Sequence, residues 1–226
     1  MVHTYPDGRP ALRGVTLAVG PGERVALVGA NGAGKTTLLL RLCGALPGAV
    51  GQATVAGLDP ADPRHRGKLP TAVGVVFANP DDQLFASTVL EDVAFGPLNL
   101  GCSPAEARTR AAAALVRVGL VGYDGRSPHR LSGGEKRRAA LAGVLATAPG
   151  VLLLDEPTGL LDPRGRRELL ALLRGLPGVM LVATHDLGFA RDLCSRAVLL
   201  SDGAVAADGP AGAVLDDAAL LAAHGL

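Results

Sequence analysis

The chain has 226 residues, 48% of them hydrophobic, with 22 Lys and Arg against 21 Asp and Glu for a formal charge of +1. That is enough apolar material to bury a core in one domain with room for a subdomain, and the interspersed, balanced charge excludes the basic face of a nucleic-acid binder, so no nucleic-acid partner is expected. No apolar run approaches the ~20 residues of a transmembrane helix and residues 1–6 lack a charged-then-apolar leader pattern, so any work at a membrane would be done through a partner.

Tyr5-Pro-Asp-Gly8 reads as a turn. Residues 23–28 form a short, largely apolar run that ends at a glycine, the first residue of Gly29-Ala30-Asn31-Gly32-Ala33-Gly34-Lys35-Thr36-Thr37. A strand, a glycine-rich loop and a helix over 35–46 are the context that a GxxxxGK[ST] pattern needs. The glycines let the backbone approach an anion, with successive N–H groups and the positive helix end aimed at it. Lys35 is placed to bridge β- and γ-phosphates, the Thr36 hydroxyl to hold Mg²⁺, and Thr37 to donate to the α-phosphate.

Residues 73–77 are a second strand-like run, and the stretch from about 84 to 147 reads as mostly helical. Within it Ser103-Pro104-Ala-Glu106 announces a helix start with a capping box, a stripe of Ala107, Ala111, Ala114, Leu115 and Val118 follows, and Gly119 ends it. Leu131-Ser132-Gly133-Gly134-Glu135 offers another capping box, for a helix over 136–146. The cap alone does not account for two bare glycines, whose exposed amides make a second anion site.

Residues 151–154 are an apolar strand ending in Asp155-Glu156, and Asp162-Pro163 opens a helix through Leu169, Leu170, Leu173 and Leu176. Two adjacent carboxylates at a strand end call for a positive partner, which a magnesium nucleotide supplies. Asp155 would bind the metal through water, and Glu156 would polarise an attacking water. The strand 179–183 runs into Thr184-His185-Asp186, where His185 could reach the γ-phosphate. His3, His65, His129 and His224 lack such a context and read as structural. Strand-length runs that do not alternate suit a mostly parallel sheet covered on both faces, so the fold class is α/β with an inserted helical subdomain. Cys43, Cys102 and Cys194 have no metal-ligand spacing and read as reduced thiols.

Taken together the segments resemble the nucleotide-binding subunits of ABC (ATP-binding cassette) transporters over nearly the whole chain. Gly29–Thr37 matches the Walker A loop, residues 151–156 the Walker B strand, Leu131–Glu135 the signature, Asp162 the D-loop and His185 the switch histidine. The resemblance implies a P-loop NTPase core with an N-terminal antiparallel β part, as one ATPase domain over 1–226 with core 1–83 and 148–226 and a helical subdomain at about 84–147. It implies ATP and Mg²⁺ as ligands, ATP hydrolysis with Glu156, His185 and Lys35 as catalytic groups, and adenine stacking by Tyr5. In that family the signature of one subunit closes on the nucleotide of another, so a second ATPase subunit is expected, a homodimer or a related paralogue.

Asn79-Pro-Asp-Asp-Gln83-Leu-Phe85, residues 89–101, the tyrosine turn and the closing residues 221–226 resemble the energy-coupling-factor (ECF) branch. That resemblance implies a prokaryotic, peripheral subunit at the cytoplasmic face of the cell membrane. Its partners would be a membrane coupling protein, docking near residues 79–100, and a substrate-binding membrane protein, with cobalt or nickel ahead of a vitamin as cargo. Two departures stand out. The family usually has glutamine where this chain has Ala78, so either Gln83 takes over part of that role or coupling is looser; hydrolysis is expected to survive. An edge strand that commonly precedes the tyrosine turn is expected to be missing. The competing readings are a soluble ABC-type ATPase outside transport and an ATP-dependent clamp with little turnover.

Overall fold

A computed structural model describes residues 1–47 and 51–226. In chain order the elements are β1 (Val2–Thr4), β2 (Pro10–Arg13), β3 (Arg24–Val28), α1 (Lys35–Leu42), α2 (Leu69–Ala72), β4 (Val73–Val76), α3 (Val89–Asn99), α4 (Pro104–Arg117) and α5 (Gly133–Leu145). They continue with β5 (Val151–Asp155), α6 (Pro163–Arg174), β6 (Val179–Ala183), α7 (Leu187–Leu193), β7 (Arg196–Ser201), β8 (Ala204–Pro210), α8 (Ala211–Leu215) and α9 (Ala218–Ala223). The chain divides into two compact units, residues 1–75, 150–156 and 177–226, and residues 76–149 and 157–176.

The first unit is built on a six-stranded sheet of order β4-β5-β6-β3-β7-β8. β5, β6, β3 and β7 are parallel neighbours, and β8 returns antiparallel to β7. The central strands are apolar without alternation because both faces are covered: Val25, Ala26, Leu27 and Val28 are all fully buried. β8, at the edge, alternates and is half exposed. β7 and β8 are joined through Asp202 (φ 48°) and Gly203 (φ 78°), the two left-handed residues that a tight hairpin turn requires. Contrary to expectation, an edge strand does precede the tyrosine turn: β1 pairs antiparallel with β2 across it as a separate two-stranded sheet, and within the turn the Gly8 amide donates to the Tyr5 carbonyl at 2.9 Å. The parallel core with an antiparallel N-terminal part is the expected architecture.

The second unit contains α3, α4, α5 and α6. α4 buries Ala107, Ala111, Ala114 and Leu115, and Gly119 follows it at φ 73°. The capping box expected there is only half formed. Ser103 Oγ accepts from the Glu106 amide, but the Glu106 carboxylate turns to Arg110, one helical turn on, at 2.7 Å. Complete boxes stand instead at Thr88/Glu91 on α3 and at Ser132/Glu135 on α5. Two helices end earlier than their apolar patterns suggest. α1 stops at Leu42, because Gly44 is left-handed (φ 77°) and its amide bonds back to the Arg41 carbonyl. α6 stops at Arg174, with Gly175 as its cap, so Leu176 is buried beyond the helix.

Among the described residues no helix is long and apolar enough to cross a membrane, and no cluster of His, Cys, Asp and Glu forms a metal site. The cysteines are free thiols; burial pushes the pKa of Cys194 up to about 12.

Candidate nucleotide site

β3 enters the loop at Gly29, and α1 leaves it at Lys35. Gly29, Gly32 and Gly34 have φ of 153°, 84° and 103°. At Gly29 a side chain is excluded by space as well, because a Cβ would fall 2.3 Å from the Leu200 carbonyl oxygen. At Gly34 it would fall 2.5 Å from that of Ala11. The loop is fastened from below by the β7–β8 turn: the Gly203 amide donates to the Ala33 carbonyl at 3.1 Å, and the Gly203 carbonyl accepts from the Arg13 amide at 2.7 Å.

α1 starts with no side-chain cap and no acidic residue in its first turn. α3, α4, α5 and α6 are all capped by a Ser, Thr or Asp side chain. An uncapped helix start leaves its first amides to an external acceptor, and the dipole favours an anion there. Lys35 is buried beside that start, its Nζ donating to the carbonyls of Gly29 at 2.6 Å and Ala30 at 3.1 Å. Burial lowers the Lys35 pKa, while the charges of Glu156 and Asp155 act in the opposite direction.

The register of β5 on β6 sets Asp155 beside Ala183, so the chain continues from both strands side by side, at the carboxyl ends where α/β sheets bind ligands. The Thr36 hydroxyl donates to Asp155 Oδ2 at 2.8 Å. These are hard oxygen donors suited to Mg²⁺, which would supply Lewis-acid stabilisation of phosphate charge. Glu156 adopts φ 45°, in the left-handed region, with its amide donating to the Ala183 carbonyl at 2.8 Å. Its Oε2 accepts from Thr184 Oγ1 at 3.2 Å and from the His185 amide at 3.3 Å, and lies 2.8 Å from His185 Nδ1. The His185 side chain is 68% exposed, open to an incoming ligand. The Tyr5 hydroxyl pairs with Thr37 Oγ1 at 2.9 Å, and its ring stands edge-on to His3 at 4.9 Å.

The first unit thus brings together Gly29 through Thr37, Asp155, Glu156, His185 and Tyr5. Gln83, Leu131–Glu135 and Asp162 belong to the second unit. Gln83 Oε1 accepts from the Phe77 amide at 2.8 Å. Ser132 Oγ accepts from the Glu135 amide at 3.3 Å, while Glu135 returns a carboxylate oxygen to the Ser132 amide at 2.7 Å. The Tyr123 hydroxyl donates to the other Glu135 oxygen, and these bonds hold the Glu135 pKa below the usual carboxylate value. Asp162 caps α6 through the Gly165 amide at 2.7 Å.

Three participants were not singled out from the sequence. Thr184 is fully buried and anchors Glu156, a role hidden inside the Thr-His-Asp motif. The Asp202-Gly203 turn, signalled by its dipeptide, supports the phosphate loop. Arg137 is buried, yet in the sequence it is one of three consecutive basic residues with nothing to mark it.

Residues 12–159 match the family described as ABC transporter. The chain belongs to the ABC transporter family. It is 53% identical over its full length to a Streptomyces coelicolor protein named "Putative ABC transporter ATP-binding protein SCO3161", covering 86% of that protein. It is 45% identical over 97% of its length to the energy-coupling factor transporter ATP-binding protein EcfA of Methanothermobacter thermautotrophicus, covering 72% of it. Among solved structures, cbiO1 of Clostridium perfringens, part of the ABC transporter complex cbiONQ, superposes with TM-score 0.84 at 34% identity, over 98% of this chain and 90% of that one. The ATP-binding cassette MJ0796, dimeric and bound to ADP and Pi, superposes with TM-score 0.85 at 28% identity over 93% and 96%. As an ABC transporter ATPase the chain binds ATP with Mg²⁺ and hydrolyses it.

Proposed function

We propose that this chain is the ATP-hydrolysing subunit of an ECF-type importer, peripheral at the cytoplasmic face of a prokaryotic cell membrane, powering uptake of cobalt or nickel, or of a vitamin. The observation that carries the ECF assignment is likeness over almost the whole chain to both EcfA and cbiO1. In this reading Gly29–Gly34 cradle the phosphates by backbone amides, Lys35 neutralises the β- and γ-phosphates, and Thr36 and Asp155 hold Mg²⁺. Thr37 donates to the α-phosphate, and Tyr5 releases it to stack on adenine. Glu156 takes a proton from water aimed at the γ-phosphate, and His185 holds the geometry. Gln83 assists from the loop after β4.

Leu131–Glu135 and Asp162 serve the nucleotide of a second ATPase subunit, identical or paralogous, and 1–226 works as one ATPase domain with core 1–83 and 148–226 and helical subdomain 84–147. The membrane coupling protein docks near 79–100, where Phe85 and Phe95 are 61% and 49% exposed with their rings edge-to-face at 4.8 Å. Exposed paired aromatics of that kind mark partner surfaces. The cargo meets a substrate-binding membrane protein and never this chain.

Ala78 favours a second reading, an ATP-dependent clamp with little turnover. Phosphate release by the purified chain with its membrane partners separates the two. Fast, partner-stimulated turnover that disappears in Glu156→Gln supports the importer motor; a wild type whose turnover stays slow and is not raised by its membrane partners supports the clamp.

A further inference from the structure

Arg137, in the second turn of α5, is only 2% exposed. Its Nη1 donates to the Phe77 carbonyl at 2.8 Å, and its Nη2 to the carbonyls of Ala78 at 2.6 Å and Gly159 at 3.3 Å. One residue earlier, Lys136 Nζ reaches Asp81 Oδ1 at 2.6 Å. The Phe77 amide, bonded to Gln83, closes residues 77–83 into a loop around a short turn at Pro80–Asp82. The start of α5, which Ser132 caps, is therefore fastened to this loop at two points. The same guanidinium also holds the segment between Glu156 and Asp162.

Burying a guanidinium is costly unless its donors are met, and its planar fork fixes acceptors in a way that a point charge cannot. A fork whose Nη atoms grip backbone carbonyls from two separate loops sets geometry. The geometry points to Arg137 and Lys136 as positioning residues that make loop 77–83 and the Ser132-bearing helix start one lever. A push on the loop then reaches Ser132 through the carbonyls of Phe77 and Ala78 and needs no side chain at position 78. This rests on the reading of Ser132 as a phosphate-facing group and of residues 79–100 as the docking surface, and it gives coupling a route that does not depend on the side chain at position 78.

The test uses charge reversal at the exposed end, where folding is safe. Asp81→Lys and Lys136→Asp are made singly and together in the full-length chain, with Arg137→Lys as a fourth variant. Each single reversal should lower kcat for ATP about fivefold, the scale of one exposed ion pair, with the equilibrium ATP affinity within twofold of wild type. The double reversal should recover most of the rate. Arg137→Lys keeps the charge but loses the fork, and its kcat should fall without a matching loss of ATP affinity. Hydrogen exchange at amides 133–137 should accelerate in each single reversal and return in the double one. Unchanged kcat and exchange, or no recovery in the double reversal, overturns the lever. A wild type without Glu156-dependent turnover would count against the hydrolytic reading instead, and the exchange data alone would then decide the lever.

Discussion

His185 Nδ1 lies 2.8 Å from Glu156 Oε2, and the same oxygen accepts from Thr184 Oγ1 and the His185 amide. The carboxylate is therefore aimed by three groups from the neighbouring strand end before any nucleotide arrives. Glu156→Gln should lower turnover at least ~100-fold while ATP still binds, and His185→Ala should lower it by a similar factor. Glu156 also sits at φ 45°, a conformation that costs a non-glycine residue about 1 kcal/mol or more. Glu156→Gly should thus be inactive yet within about 1 kcal/mol of wild-type stability, relief of strain offsetting the lost hydrogen bonds. Phosphate-release assays and urea unfolding read the two effects separately.

The Thr36–Asp155 hydrogen bond makes a second prediction. Asp155 is buried at the end of β5 and is 4% exposed. If it acts on Mg²⁺ through water, Asp155→Asn should raise the Mg²⁺ concentration needed for half-maximal turnover by about 10–100-fold. Thr36→Val should do at least as much, because in the proposed reading it removes the hydroxyl oxygen that would touch the ion directly. A magnesium titration of the ATPase rate checks both; an unchanged midpoint in either would remove that residue from the metal site.

What could be read from sequence follows from which interactions are local. The strands around 25–28, 151–155 and 179–183 declare themselves because burial on both faces leaves no alternation, and the structure moves their ends by no more than a residue. Ser132 and Glu135 are three apart and form the complete box, yet Ser103 and Glu106 at the same spacing do not, because Arg110 competes for the carboxylate. That competition is a side-chain preference which spacing does not encode. The support of the phosphate loop by Gly203 and the clamp of Arg137 on Phe77 and Ala78 join residues far apart in the chain, and only the folded backbone brings them together. The glycines of the loop were legible for their conformation; the collisions that forbid a Cβ at Gly29 and Gly34 were not.

Acid stability should depend on one network in the first unit. Arg196 grips Asp208 with two bonds of 2.6 and 2.7 Å and also reaches Glu23 and the Ala18 carbonyl. The Arg196 fork holds the Asp208 pKa below its ordinary 3.8. The Gly20 amide, then Arg196, does the same for Glu23 below its ordinary 4.5. Carboxylates with depressed values bind fewer protons folded than unfolded. Their stabilisation is complete above the ordinary values and is lost as pH falls from about 4.5 through the depressed ones. Asp208→Asn and Glu23→Gln should each lower stability at pH 7 by about 1 kcal/mol, a modest figure because the pairs are partly solvated. Both should flatten the acid limb of a stability-versus-pH curve from chemical denaturation; an acid limb as steep as wild type in the double variant would place the acid sensitivity elsewhere.

Ser132 tests the two-subunit site. It is exposed, and its hydroxyl caps α5 through the Glu135 amide. Ser132→Arg removes the cap at a cost of about 1 kcal/mol, a drop of roughly 2–4 °C in Tm for a chain of this size. ATP binding by the isolated monomer should be intact, since the phosphate loop lies in the other unit, while turnover is abolished. Mixing then separates a trans role from simple damage. A Ser132→Arg subunit keeps its phosphate loop and Glu156, and a Glu156→Gln subunit keeps its Ser132. In a homodimer a mixed pair therefore holds one complete site of two. With half of all dimers mixed, an equimolar mixture of the two inactive variants should recover about a quarter of wild-type turnover. No recovery, or loss of monomer binding in Ser132→Arg, would remove Ser132 from the partner's nucleotide.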